Sequence, residues 1–184
     1  MHSKAKAQTH LKNFVAMVER QFDTKVKMIR SDNGSEFILR QFYDETGIIH
    51  QASCVETPQQ KGIVERKNQH FLNVTISLLF QSNFPSIFWS YALIHFVVLI
   101  NCIPTPFLGN KTPYEILYET LYDITSLRVF GCLCFTSTIT ANRKKLDPKA
   151  ATSIFLGFKP NTKRYVTLDL KTRAISVSRN VNFL

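Results

Sequence analysis

Apolar positions in the first two thirds of the chain recur mainly at helical period. Leu11, Phe14, Val15, Val18 and Phe22 fall on one face, so residues 9–23 read as an amphipathic helix. Val26, Met28 and Arg30 then alternate with Lys27 and Ile29, predicting a short strand that ends at Asp32. Asn33-Gly34 supplies a turn, and residues 35–46 read as a helix with Phe37, Leu39 and Phe42 inward, stopped by Gly47. Residues 48–53 form a second strand, residues 57–62 a polar loop and residues 63–81 a long helix. Asn83 and Pro85 open a further helix through Asn101, which Pro104 and Pro106 end. Thr112-Pro113-Tyr114-Glu115 starts a short helix through Tyr118.

From Arg128 the period changes to two. Strands are expected over 129–138, 153–158, 165–169 and 174–182, with turns at Lys159-Pro160-Asn161-Thr162 and Leu170-Lys171-Thr172. The expected fold class is therefore α/β up to about residue 120, followed by a small antiparallel β module. The corresponding domains are 1–120 and 121–184.

Composition changes this picture in three places. The 184 residues are 45% hydrophobic and 12% aromatic, enough apolar material for a core, which argues against a wholly disordered chain. The net charge of +10 favours a polyanionic partner, and its distribution is uneven. Between residues 141 and 184, ten Lys or Arg stand against Asp147 and Asp169, so most of the surplus lies in the last quarter. Residues 71–110 hold no Lys, Arg, Asp or Glu. The apolar run at 87–103 contains Ser90, His95 and Asn101 and lacks flanking basic clusters, so it reads as a buried helix and not a membrane span. Cys132-Leu133-Cys134 is too tightly spaced for a zinc knuckle and reads as reduced strand cysteines. Met1-His2-Ser3-Lys4 does not resemble a signal peptide, so the expected location is intracellular, nuclear or cytoplasmic.

The candidate chemistry lies early in the chain. Asp32 falls at the carboxyl end of the first strand, where ligands gather in open α/β sheets; taken alone, Asp-Asn-Gly is equally an Asx-type turn. Glu65 is expected on the first turn of the long helix, where one acid alone is an ordinary helix-start charge. Together, two carboxylates can hold a hard divalent cation through oxygen, the chemistry needed for metal-assisted phosphodiester transfer. Arg66, Lys67 and His70 surround Glu65 on exposed faces that could meet phosphates.

The order Ser31-Asp32-Asn33-Gly34-Ser35-Glu36-Phe37, Gly47-Ile48-Ile49-His50-Gln51, Thr57-Pro58-Gln59-Gln60, Gly62 and Glu65-Arg66-Lys67-Asn68 resembles the integrase of copia-type retrotransposon Pol polyproteins. The resemblance continues through Phe88-Trp89, Leu99-Ile100-Asn101, Thr112-Pro113-Tyr114-Glu115, Leu127-Arg128-Val129-Phe130-Gly131-Cys132, Phe155-Leu156-Gly157-Phe158 and Val177-Ser178-Arg179-Asn180-Val181. It implies a partial ribonuclease H-like integrase core lacking its first strands, followed by a basic SH3-like module. It also implies catalytic and metal-binding roles for Asp32 and Glu65 towards Mg2+ or Mn2+. DNA would be the partner. Gln59, Gln60 and Lys61 would lie on a mobile loop against a DNA end, Asn68 would face the DNA, and Arg66, Lys67, Arg143, Lys144 and Lys145 would meet its phosphates.

The sequence departs from the family pattern in its first acidic position. Before Asp32 the only acids are Glu19 and Asp23, in or at the end of the first helix, so the expectation is an integrase remnant that is catalytically incomplete. Lys61 stands where relatives carry a neutral amide. Missing strands would leave an exposed sheet edge, to be covered by a second copy or a partner chain. Two other functions compete with catalysis: a non-catalytic nucleic-acid-binding module, and an inert transposon-derived fragment.

Overall fold

A computed structural model describes residues 5–31, 34–52, 58–138, 145–146, 148–159 and 162–184, with backbone only for Ala5 and residues 58–64. It divides into two compact units, residues 1–67 and 68–184.

In the first unit, α1 (Ala5–Phe22) leads to β1 (Met28–Ser31), then α2 (Arg40–Thr46), β2 (Ile49–Ala52) and the start of α3 (Pro58–Gln81). The strands pair in parallel from Met28↔Ile49 to Ser31↔Ala52, so α2 lies on a β-α-β crossover. Their core is Val15, Tyr43 and Ile48, with Val26, Ile29, Leu39 and Phe42 packed against it. Glu19 holds the turn after α1 by accepting from the Val26 N–H at 3.0 Å and pairing with Lys25 at 3.4 Å.

Residues 35–46, expected as one helix, are broken. A 3-10 turn covers Ser35–Phe37, and α2 begins only at Arg40. The Tyr43 hydroxyl donates to the Phe37 carbonyl at 2.9 Å, and Tyr43 is the buried residue of α2. Gly47 ends α2 at φ +69, as its position predicts.

The second unit contains the rest of α3, a 3-10 turn at Ser86–Phe88, α4 (Trp89–Asn101) and α5 (Pro113–Tyr118). Five strands follow: β3 (Leu133–Ser137), β4 (Ala150–Phe158), β5 (Tyr165–Asp169), β6 (Ile175–Ser178) and β7 (Val181–Phe183). All pairings are antiparallel, in the order β6-β5-β4-β3-β7.

The run 174–182, expected as one strand, is thus two strands on opposite edges. Strands lie about 4.8 Å apart, so a flat sheet would separate those edges by roughly 19 Å. Ser178 and Val181 are three Cα steps apart, which reach at most about 11 Å. The sheet must therefore curl towards a barrel. Two contacts between non-neighbouring strands agree with this. Thr136 of β3 donates to Thr167 of β5 at 3.1 Å, and the Phe183 ring of β7 meets Phe155 and Tyr165 at 5.5 and 5.1 Å.

The barrel is covered outside as well as filled inside. Leu156, Val166 and Leu168 form a cluster against Phe84, Phe88 and Tyr91, while Thr167 between them points inward. This explains why Val166, Thr167 and Leu168 are all buried where a one-faced sheet would alternate. A register shift between Phe155 and Gly157 bends β4 beneath α4. A second cluster joins Leu79, Ala92 and Phe130.

His95 of α4 is 1% exposed, stacked on Phe158 at 5.8 Å and tilted against Phe130 at 5.7 Å, with Nδ1 lacking a hydrogen-bond partner. Burial lowers its pKa to about 4. Cys134 is fully buried and unpaired, and burial pushes its thiol up to about 11. Among the described residues no helix is long and apolar enough to cross a membrane.

Candidate functional site

The parallel pairing of β1 and β2 brings both carboxyl ends to one edge, with Ser31 opposite Ala52. Asp32 is the next residue in the chain and, with Asn33, lies outside the described residues. What is described is the anchorage of the strand that leads to it. The Ser31 hydroxyl lies 2.8 Å from His50 Nε2, and the His50 ring stacks on Tyr43 at 4.7 Å. Arg30 donates to the Gln51 side chain at 2.9 Å. Backbone and side chains together hold the ends of the two strands in register. Sequence reasoning missed these pairs, because Ser31 and His50 become neighbours only once the parallel register is known.

The segment leading to Glu65 corrects an expectation. Residues 58–62, read as a polar loop, already belong to α3. Pro58 is the first helical residue, where its missing N–H costs nothing, and Gln59, Gln60 and Lys61 are good helix formers. They carry the helix through Gly62 against a penalty of about 1 kcal/mol. Gln59, Gln60 and Lys61 are therefore on the first turns of a helix, not on a mobile loop, and their side chains lie outside the description.

Glu65 accordingly stands eighth in α3, beyond the first turn where the helix dipole stabilises an anion. It is the one acid of that helix and is exposed. Arg66 and Lys67 are exposed beside it, and Asn68 and His70 are exposed where α3 enters the second unit. Of the basic cluster, Lys145 is exposed in a turn, while Arg143 and Lys144 lie outside the described residues.

Among the described residues no group of three or more His, Cys, Asp or Glu is placed to hold a metal ion. In donor type, Asp32 and Glu65 suit a hard cation such as Mg2+ or Mn2+, since both offer carboxylate oxygen. In number, the described residues supply Glu65 alone.

Residues 132–184 match the family model of the retroviral polymerase SH3-like domain, which covers all five strands of the barrel. The chain is 36% identical over 171 residues to the retrovirus-related Pol polyprotein from transposon RE1 of Arabidopsis thaliana, covering 92% of this chain and 12% of that protein. It is 33% identical over 173 residues to the Pol polyprotein from transposon TNT 1-94 of Nicotiana tabacum, covering 92% and 13%. A chain from the simian T-cell lymphotropic virus intasome in complex with PP2A regulatory subunit B56 gamma superposes on all of this chain and 65% of its own length. Its TM-score of 0.44 at 14% identity is too low to assign a fold. Over nearly its whole length, then, the chain is a relative of copia-type retrotransposon Pol polyproteins, and it spans about an eighth of each.

Proposed function

We propose that this chain is part of a retrotransposon integrase, a ribonuclease H-like core segment over residues 1–120 followed by a basic SH3-like module over 121–184, acting on DNA ends. The observation that carries the reading is the identity of 33–36% to retrotransposon Pol polyproteins across 92% of the chain. In this reading Asp32 and Glu65 are two of the acidic ligands of a divalent-metal site. A bound Mg2+ or Mn2+ there would activate the attacking oxygen and stabilise the leaving one. The chain's own share is positional. The pinned end of β1 would hold Asp32, α3 would carry Glu65 towards the metal, and Arg66, Lys67 and Asn68 would hold the DNA backbone.

Within these 184 residues the acids before Asp32 are Glu19 in α1 and Asp23 just after it, neither on a strand. Two carboxylates leave a two-metal site short of a ligand, so the purified chain should not join DNA 3′ ends with either metal. A chimera preceded by the adjoining segment of the RE1 polyprotein should join them, and Asp32→Ala or Glu65→Ala should each abolish joining. A folded but inactive chimera, or joining that survives Asp32→Ala, would sink the integrase reading. A non-catalytic nucleic-acid-binding role is the second reading, favoured by the surplus of positive charge at residues 141–184. DNA binding indifferent to Asp32 and Glu65, in an inactive chimera, would select it.

A further inference from the structure

The second unit carries a groove that the integrase reading leaves unused. It measures about 1080 Å3 and runs between α4, α5 and the turn joining β4 to β5. One wall presents Tyr114, Tyr118 and Tyr122, spaced one helical turn apart in sequence and in mutual ring contact. Tyr114 meets Tyr118 at 4.6 Å and Tyr122 at 5.0 Å. The other wall presents Lys159, Lys163 and Arg164, all exposed. Their turn is closed by the Lys159 N–H donating to the Arg164 carbonyl at 2.9 Å, which brings the three cations to one hairpin end. The acid in the lining is Asp123, whose carboxylate already accepts from the Thr125 N–H at 3.1 Å.

The groove is larger than the roughly 1,000 Å3 at which small-molecule pockets usually end, so a metabolite would leave it mostly empty. A polymer suits it better. Aromatic rings on one side and cations on the other match a chain that carries flat bases along one edge and phosphates along the other. In a duplex the bases are paired and stacked on each other, which denies their faces to the tyrosines. An acidic peptide would satisfy the cations and leave the rings without a counterpart.

We propose that this groove binds single-stranded nucleic acid, with bases against the tyrosine wall and the phosphate backbone along Lys159, Lys163 and Arg164. The inference rests on the reading of the chain as a nucleic-acid-handling protein and adds an unpaired-strand subsite far in sequence from Asp32 and Glu65.

The test is fluorescence anisotropy of the full chain with a labelled oligothymidylate of about twelve nucleotides, within the range one such binding site covers. A duplex of equal length and an oligoglutamate serve as competitors. The chain should prefer the single strand. Tyr118→Ala should weaken that binding by about tenfold and leave duplex binding unchanged, while Tyr118→Phe retains it. Replacing Lys159, Lys163 and Arg164 together by Ala should lower the salt slope by about 2, at roughly 0.7 per phosphate contact on a single strand.

Single-strand binding unaltered in a folded Tyr118→Ala chain would overturn the proposal, as would a preference for duplex. Displacement of the oligonucleotide by oligoglutamate at lower concentration than by duplex would overturn it too, and make the groove a peptide site. Should Tyr118→Ala fail to fold, the exposed Lys163→Ala/Arg164→Ala pair decides by the same slope. Asp32→Ala and Glu65→Ala should bind the oligonucleotide like the parent. Failure of the groove therefore leaves the integrase reading standing, and loss of joining activity with intact oligonucleotide binding leaves the groove standing.

Discussion

Gly131 has φ +80, and a Cβ built there would lie 2.4 Å from the Cβ of Ser82. Both the backbone conformation and the close approach require glycine. Gly131→Ala should cost about 2–4 kcal/mol, combining the left-handed penalty with overpacking. Adding Ser82→Gly removes the clashing atom and should restore part of the loss in a urea melt; if it restores none, the clash is not the cause. His95 makes a different prediction, because its folded pKa of about 4 lies below the ordinary 6.5. The unfolded chain binds the proton more readily, so this contribution to stability is complete above pH 6.5. It declines as pH falls from there towards 4 and then levels off. Between pH 7.5 and 5 the loss should be about 2 kcal/mol, at 1.36 kcal/mol per pKa unit. His95→Leu should remove that part of the acid sensitivity; equal acid loss in both proteins would count against it.

At the scale of the element, α5 is the plainest case of sequence dictating structure. Thr112 accepts from the Glu115 N–H at 3.0 Å, Pro113 opens the first turn, and the helix ends at Tyr118 as the pattern predicts. Thr112→Ala should cost about 1 kcal/mol, read as a shift in urea midpoint at constant slope. An unchanged midpoint would mean that the cap is replaced by water. Where elements were misread, the deciding contact was distant or the local signal ambiguous. Thr57-Pro58-Gln59-Gln60 with Gly62 carries loop chemistry, but Pro58 also suits the first position of a helix, and α3 begins there. Residues 174–182 alternate well enough for one strand. The chain nonetheless changes edges at Arg179-Asn180, where the Ser178 hydroxyl accepts from the Asn180 N–H at 3.2 Å and the Asn180 carbonyl accepts from the Ser137 N–H at 3.1 Å. The second of those partners lies some forty residues away, so no local window contains it.

For the whole molecule, charge is the property most legible in the sequence. Replacing Arg143, Lys144 and Lys145 by Ala should weaken duplex DNA binding equally for unrelated sequences. It should flatten the salt slope by up to about 2.7, at roughly 0.9 per phosphate contact. Parental binding at every salt concentration would reduce the cluster to solvated surface. The candidate metal residues were legible as motifs, whereas the tethering of β1 by His50 and the tyrosine-lined groove were not. The tyrosines at 114, 118 and 122 stood in the sequence at one-turn spacing, but their cationic counterpart is contributed by a hairpin 40 residues on. One last consequence follows from the pairing of β3 with β7, which sets Cys134 opposite Phe183. The residues by which the chain enters the barrel and those by which it leaves are thus about 5 Å apart. In a longer polypeptide such a module hangs from the chain like a bead on a short loop and adds almost no distance between what precedes and follows it. It can be gained or lost without respacing its neighbours, a tolerance suited to polyproteins assembled from interchangeable parts.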